Sequence, residues 1–379
     1  MDRPRILLLT RNYPPLWGGM ERLVWRMSHE LARRADLRLV LPRGGAPHAP
    51  RDAPTAEVPG RPIARFLLAS AHAALRLARR VRPAWVLAGS GLLAPAALAA
   101  ARAVGARAAA YLHGLDAAST HPVYTALWLP AIRRLDLVIA NSQATADIAR
   151  GRRVPASRIR VVHPGVDLPE PDPAARERFR ARHGLGGRPV LLYVGRLTRR
   201  KGLLELVRDV LPIVIRERPE AVLLVAGDTP AASLHHGVVT REAVGAAARA
   251  AGVQEAVRFL GVLDGPALDQ AWFAADVHVF PVRDIPGDPE GFGMVALEAA
   301  AHGLPTVAYA TGGVTDAVAD GVSGRLVPPG DPAAFAAAAL ELLAAPPPAD
   351  AMREYAARFA WERFGDAMCH ALDMMPGSR

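Results

Sequence analysis

Short apolar runs recur along the chain, separated by segments whose apolar residues repeat with a helical period. The first series reads I-L-L-L-T at 6–10, L-R-L-V-L at 37–41, W-V-L-A at 85–88, A-A-A-Y-L at 108–112 and L-V-I-A at 137–140. Runs this short and continuous suit strands buried on both faces of a parallel sheet. The stretches Glu21–Arg34 and Arg65–Val81 between them have the spacing of helices, which makes the text a βαβ alternation. From Pro164 to Arg188 the composition turns to that of a hinge, P-G-V-D-L-P-E-P-D-P, then a short charged helix, then G-L-G-G-R-P. A second series follows: V-L-L-Y-V-G at 190–195, V-L-L-V-A-G at 222–227, V-R-F-L-G at 257–261, V-H-V-F-P at 277–281, T-V-A-Y-A at 306–310 and G-R-L-V-P at 324–328. The pattern predicts an α/β protein of two Rossmann-like, doubly wound domains, 1–168 and 169–350. The remainder, 351–379, carries Met352, Tyr355, Phe359, Trp361, Phe364 and Met368 and reads as a terminal helix that packs across the structure. No tandem repeat of 20 to 50 residues is visible.

Composition narrows the class. The 379 residues are 51% apolar and 22% charged, which suits a folded chain of two domains rather than disorder. One cysteine, Cys369, excludes a disulfide framework or a four-cysteine zinc site and fits a reducing, cytoplasmic compartment. The apolar start is cut short by Arg11, Asn12 and two prolines, too soon for a signal peptide. The uncharged run from Trp85 to Ala101 is broken by glycines and Pro95 and falls short of the ~20 residues of a spanning helix. Charge is lopsided: residues 1–168 hold 25 arginines against 10 acids, a balance of +15, while the remainder is at −5. No acid occurs between Glu57 and Asp116, and Arg65, Arg76, Arg79 and Arg80 sit on one apolar helical segment. Such a segment suits an anionic membrane surface, and equally an ordinary packing helix written in an Arg-rich composition. Nucleic acid is disfavoured, because no aromatic residues interleave the arginines.

Of 46 basic residues only Lys201 is a lysine. A compact ammonium kept in a chain that otherwise uses arginine is either a chance survival or a point charge placed where a guanidinium fork would not serve, and the surrounding motif decides. In open α/β sheets ligands sit beyond the carboxyl ends of strands, so the loops there hold the candidate chemistry. After the first strand G-G-M-E-R places Gly18 and Gly19 before a helix, where free amides and the dipole favour an anion. Y-V-G-R-L-T-R-R-K-G places Arg196 and Lys201 within reach of one diphosphate; lacking the glycines and the Ser or Thr after the lysine, it is not a P-loop. Arg199 and Arg200 read as solvated loop charges. P-E-G-F-G-M-V-A-L-E sets Glu290 in a loop and Glu298 in the helix starting near Gly293, two ionised carboxylates suited to the vicinal hydroxyls of a sugar. Asp284 and Asp288 frame a Pro and Gly turn rather than a metal cluster. His113 in H-G-L-D ends a strand, where its imidazole can donate to a hydroxyl or phosphate. His235 and His236 lie in a polar connection and are given no role, and Cys369 reads as a small core residue. Each motif taken singly also has a plain structural reading as a turn, a helix start or a core residue.

In this order G-G-M-E-R, H-G-L-D, A-N-S, H-P-G-V-D, G-R-L-T-R-R-K-G and E-G-F-G-M-V-A-L-E, followed by G-L-P-T-V-A and G-G-V-T-D-A-V-A-D-G, resemble the retaining GT-B glycosyltransferases of the family-four type, glycosyltransferase group 1. The likeness spans nearly the whole chain; the stretch after V-A-G-D, T-P-A-A-S-L-H-H-G, departs from the compact glycine-rich turn of that pattern. The resemblance implies two Rossmann-like domains facing each other across a cleft, with the last helix crossing back to the N-terminal domain. It implies a nucleotide-diphosphate sugar as donor, bound without metal, and a glycan or lipid-linked acceptor in cell-surface polysaccharide or glycolipid synthesis. Arg196 and Lys201 would hold the diphosphate, Glu298 the ribose and Glu290 the donor sugar, with the amides of Phe292, Gly293 and Met294 alongside. Gly18 and Gly19 would approach the diphosphate from the other domain, and His113 would contact the sugar or the reacting centre. Anomeric configuration would be retained by front-face attack, since no carboxylate in the motifs is an evident covalent nucleophile. Two other readings stay open: a non-catalytic sugar-nucleotide-binding or scaffold protein, and a sugar-nucleotide epimerase on the same fold. An NAD-dependent oxidoreductase is disfavoured because the first loop lacks G-x-G-x-x-G.

Overall fold

The apolar runs form two sheets, each wholly parallel. The structure, a computed structural model, describes residues 3–229 and 237–374; His235 and His236 lie outside the described residues. The chain divides into two units, Met1–Gly165 with Trp361–Arg379, and Val166–Ala360.

The first unit holds β1 (Arg5–Leu9), β2 (Asp36–Pro42), β3 (Thr55–Val58), β4 (Trp85–Ala88), β5 (Arg107–Leu112), β6 (Leu137–Ala140) and β7 (Ile159–Val161), in the spatial order β3-β2-β1-β4-β5-β6-β7. Leu7 of β1 faces Arg38 of β2 on one side and Val86 of β4 on the other. The chain therefore reverses its direction of travel between β1 and β4, the switch point where such sheets open a crevice. Helices α1 (Gly19–Arg34), α2 (Ile63–Val81) and α3 (Ala94–Arg102) are among the crossovers. Leu7, Leu9, Val86, Ala110 and Val138 point into the core that Phe66, Ala74 and Ala97 cover from α2 and α3.

β3 and β7 were not among the predicted strands. Both are edges: T-A-E-V is half-exposed, and I-R-V turns Arg160 to solvent. Short, polar edge strands carry no continuous apolar signal.

The second unit holds β8 (Val190–Val194), β9 (Val222–Ala226), β10 (Val257–Gly261), β11 (Val277–Phe280), β12 (Thr306–Tyr309) and β13 (Gly324–Val327), in the order β10-β9-β8-β11-β12-β13. All six predicted runs are strands, and the switch point lies between β8 and β11, which pair through Leu191 and Leu192 with Val277 and His278. Leu191, Leu223, Val225, Val279 and Val307 form one face of its core.

The terminal segment predicted as one helix over 351–379 is two. Ala349–Ala357 belongs to the second unit and Trp361–Ala371 to the first. Between them the chain straightens, and the Val166 amide donates to Phe359 O at 2.8 Å. The final helix lies on α1, where Arg34 Nη2 meets Asp366 Oδ1 at 2.8 Å, and Trp85 Nε1 donates to Leu372 O at 2.8 Å. Cys369 is buried there, as expected of a small core residue.

Candidate functional site

Two loops converge at the β8/β11 switch point of the second unit. After β8 the chain passes Arg196 and the fully buried Leu197, then closes a single tight turn, Arg199–Lys201. The Lys201 amide donates to Thr198 O at 3.0 Å, and Gly202 leaves the turn at φ +70°. A Cβ at Gly202 would lie 1.9 Å from Pro281 O, so only glycine allows the turn to rest on the end of β11. After β11 the Arg283 amide donates to Arg200 O at 2.8 Å, which ties the second loop to the first. Farther along, the Gly313 amide donates to Glu290 O at 2.9 Å, and a Cβ on Gly313 would sit 2.1 Å from Gly291 O. The backbone around Glu290 is thus fixed by close packing rather than by regular structure.

This brings Lys201 and Glu290 together. Lys201 Nζ donates to Glu290 Oε2 at 2.7 Å, and Arg200 Nη1 donates to the same oxygen. Arg200 Nε also faces Asp288 Oδ1 at 3.3 Å. The side chains of Arg200, Lys201 and Glu290 are 14%, 12% and 11% exposed, so the cluster is screened from bulk water. Lys201 Nζ also stands 4.9 Å from the centre of the Phe280 ring, within cation–π range. Burial pushes the Glu290 carboxyl up, but the charges of Arg200 and then Lys201 outweigh it and hold the group at about 2. Burial draws the Lys201 ammonium below its ordinary value against the pull of Glu290, with Arg200 and Arg196 crowding it further. Beneath them His278 is wholly buried, its Nδ1 3.0 Å from Thr306 Oγ1; burial, then Lys201, pulls it down to about 3, so it adds no charge.

The remaining candidates of this unit lie on the same loop and the helix it enters. Phe292 and Gly293 are buried, and Gly293 is the N-cap of the helix Met294–Ala301, which no side chain caps. Met294 and Glu298 are half-buried on its first and second turns. Arg196 is exposed, and its carbonyl accepts the Tyr193 hydroxyl at 3.2 Å; its charge reaches Glu290 electrostatically, without a hydrogen bond. The expectation that Arg200 is a solvated loop charge is corrected by its burial against Asp288 and Glu290, whereas Arg199 is exposed. Among the described residues, no group of three or more His, Cys, Asp or Glu side chains is placed to hold a metal ion.

In the first unit the candidates line the carboxyl ends of β1, β4 and β5. Gly18 is the extended N-cap of α1, again without a side-chain cap, and around Gly19 there is open space. His113 is buried, and its Nε2 lies 2.7 Å from Gly89 O, while its amide donates to Asp116 Oδ2 at 3.1 Å. A carbonyl only accepts, so Nε2 carries the proton. Its Nε2–H is therefore engaged by Gly89 O, and Nδ1 is the ring nitrogen left for a ligand.

The family model described as "Glycosyltransferase Family 4" matches residues 17–170, and that described as "Glycosyl transferases group 1" matches residues 188–345. A GDP-mannose-dependent alpha-(1-6)-phosphatidylinositol monomannoside mannosyltransferase of Mycolicibacterium smegmatis is 32% identical over 366 residues, 92% of this chain and 91% of that protein. A D-inositol 3-phosphate glycosyltransferase of Corynebacterium urealyticum is 36% identical over 64% of this chain and 57% of its own length. Among solved structures, HepE of Anabaena in complex with UDP superposes with a TM-score of 0.79 at 21% identity, covering 98% of this chain and 100% of that one. Sucrose-phosphate synthase from Thermosynechococcus elongatus gives 0.78 at 23% identity, over 97% and 98%.

Proposed function

We propose that this chain, which belongs to the family 4, group 1 glycosyltransferases, transfers a hexose from a nucleotide-diphosphate sugar to a glycan or lipid-linked acceptor with retention of configuration. The observation that carries the proposal is the buried cluster at the β8/β11 switch point, where Lys201 and Arg200 converge on Glu290. Lys201, with the exposed Arg196 on the same loop, suits a diphosphate, and the ionised carboxylate that Lys201 and Arg200 hold suits sugar hydroxyls. In this reading Arg196 and Lys201 neutralise the departing diphosphate, so that charge stabilisation needs no metal. Glu290 accepts from the hexose, Glu298 from the ribose, and the amides of Phe292, Gly293 and Met294 face the sugar or phosphate. Within the first unit, the amides at Gly18 and Gly19 suit an anion, and His113 contacts a hydroxyl or a phosphate. The leaving phosphate oxygen takes the acceptor's proton as the new glycosidic bond forms on the face that the phosphate departs.

The relative that spans the chain is named for GDP-mannose and a phosphatidylinositol mannoside, which makes GDP-mannose the first donor to test. A lipid-linked acceptor agrees with the surface of α2, where Arg65, Leu68, His72, Arg76, Arg79 and Arg80 are all exposed, Leu68 at 75%. An open cleft of about 790 Å³ runs beside it, between α2 and β3. Arginines flanking an exposed leucine suit the inner, anionic face of the cell membrane. Among the described residues no helix is long and apolar enough to cross a membrane, so the association would be peripheral.

The test is calorimetric titration of UDP, GDP, ADP and dTDP in chelator, with the native chain beside Lys201→Ala and Glu298→Ala. One nucleotide should bind, and both substitutions should weaken it. A folded chain that binds none would fit a scaffold, and turnover of a sugar nucleotide without acceptor would fit an epimerase.

A further inference from the structure

We infer that Arg200 is a positioning residue for sugar recognition: it fixes Glu290 through one carboxylate oxygen so that the other is presented to the hexose of the donor. The inference rests on the reading above that the second unit takes a sugar nucleotide with Glu290 at its hexose. Arg200 Nη1 and Lys201 Nζ both donate to Oε2, and among the described residues none donates to Oε1. An ionised carboxylate has about four acceptor positions; here those of one oxygen are spent on cations and those of the other remain.

The two cations are not equivalent. Lys201 is a point charge on a flexible stem, while Arg200 is a planar fork with direction. That fork is braced to the loop it serves: Nε faces Asp288 Oδ1 at 3.3 Å, and Arg200 O accepts the Arg283 amide at 2.8 Å. A diphosphate drawing on Lys201 would compete with Glu290 for it. A buried carboxylate that loses its counter-charge is costly, and Arg200 is the partner that stays. Lys201 is thus shared between donor and protein, whereas Arg200 is dedicated to Glu290.

Affinity for a nucleoside diphosphate and for its hexose ester separates this role from a structural bridge. The pair used is the one the native chain binds best among UDP, GDP, ADP and dTDP. In Arg200→Ala the bare nucleotide should bind within about twofold of the native chain, while the added affinity due to the hexose falls about tenfold, as for loss of one charge-assisted hydrogen bond. Asp288→Asn, which loosens the fork without removing it, should show the same split to a smaller degree, and stands in if Arg200→Ala fails to fold. Equal loss for nucleotide and ester would make Arg200 a phosphate cation, and no loss for either would make it a bystander; each overturns the inference. A native chain that binds no nucleotide overturns the proposed function itself, and the inference with it.

Discussion

Replacing Glu290 by glutamine keeps the shape of the side chain and removes its charge, and the structure sets the size and the pH dependence of the effect. The folded carboxyl sits at about 2 against an ordinary 4.5. Because the folded value is the lower one, the stabilisation is fully present above pH ~4.5 and is lost as pH falls through ~2. At about 1.36 kcal/mol per pH unit, that gap is worth about 3 kcal/mol at pH 7 and about 1 kcal/mol at pH 3. Glu290→Gln also leaves Lys201 without its acid, while Arg200 keeps Asp288, which places the expectation at or above these figures. Equilibrium urea unfolding of both chains, followed by circular dichroism at pH 7, 5, 4 and 3, reads the difference directly. The native chain should lose its advantage steadily below pH 5. A difference at pH 7 under about 1 kcal/mol, or one that does not shrink by pH 3, would refute the reasoning that Arg200 and Lys201 overcome the burial of Glu290.

Gly202→Ala forces a Cβ to within 1.9 Å of Pro281 O at a positive φ, so melting should fall by about 6 to 12 °C for a cost of about 3 kcal/mol. Nucleotide affinity should fall with it because Lys201 shifts; a melting point within about 2 °C of native would contradict the packing described. Reversing Arg76, Arg79 and Arg80 to glutamate should abolish flotation with anionic liposomes and leave nucleotide titration unchanged. Flotation that ignores both the lipid charge and the substitution would remove the membrane reading.

Legibility in the sequence followed apolar runs, and burial only in part: β10, half-buried throughout at the edge of its sheet, was still readable as V-R-F-L-G. Both sheets were readable where a strand is buried on its two faces: β9 is V-L-L-V-A with every residue inside, and β8 is nearly so. β3 and β7 escaped because they close the edges of their sheet, where Glu57 and Arg160 interrupt the apolar pattern. The double terminal helix escaped for a different reason. Its apolar positions keep a helical period straight through 358–360, and the break is imposed by the backbone pairing of Val166 with Ala360, a contact nearly two hundred residues apart.

The same division explains the site. Lys201 stood out because the rest of the chain uses arginine for every other cation, and Glu290 and Glu298 because glycines surround the first and a helix carries the second. Arg200 had no such mark. In the string R-R-K, Arg199 and Arg200 are indistinguishable, and only the closure of the 199–201 turn sends one guanidinium outward and the other onto Glu290. That closure depends on Gly202 resting against Pro281, and on Arg283 binding Arg200 O, both on the far side of the switch point. A charge in a basic run is therefore assigned by the loop that faces it: Asp288 and Glu290 select Arg200, and nothing within residues 196–202 could have done so. His113 shows the converse. Its place at a strand end was legible, but the engagement of its Nε2 by Gly89 O was not, because that carbonyl belongs to the neighbouring strand's loop.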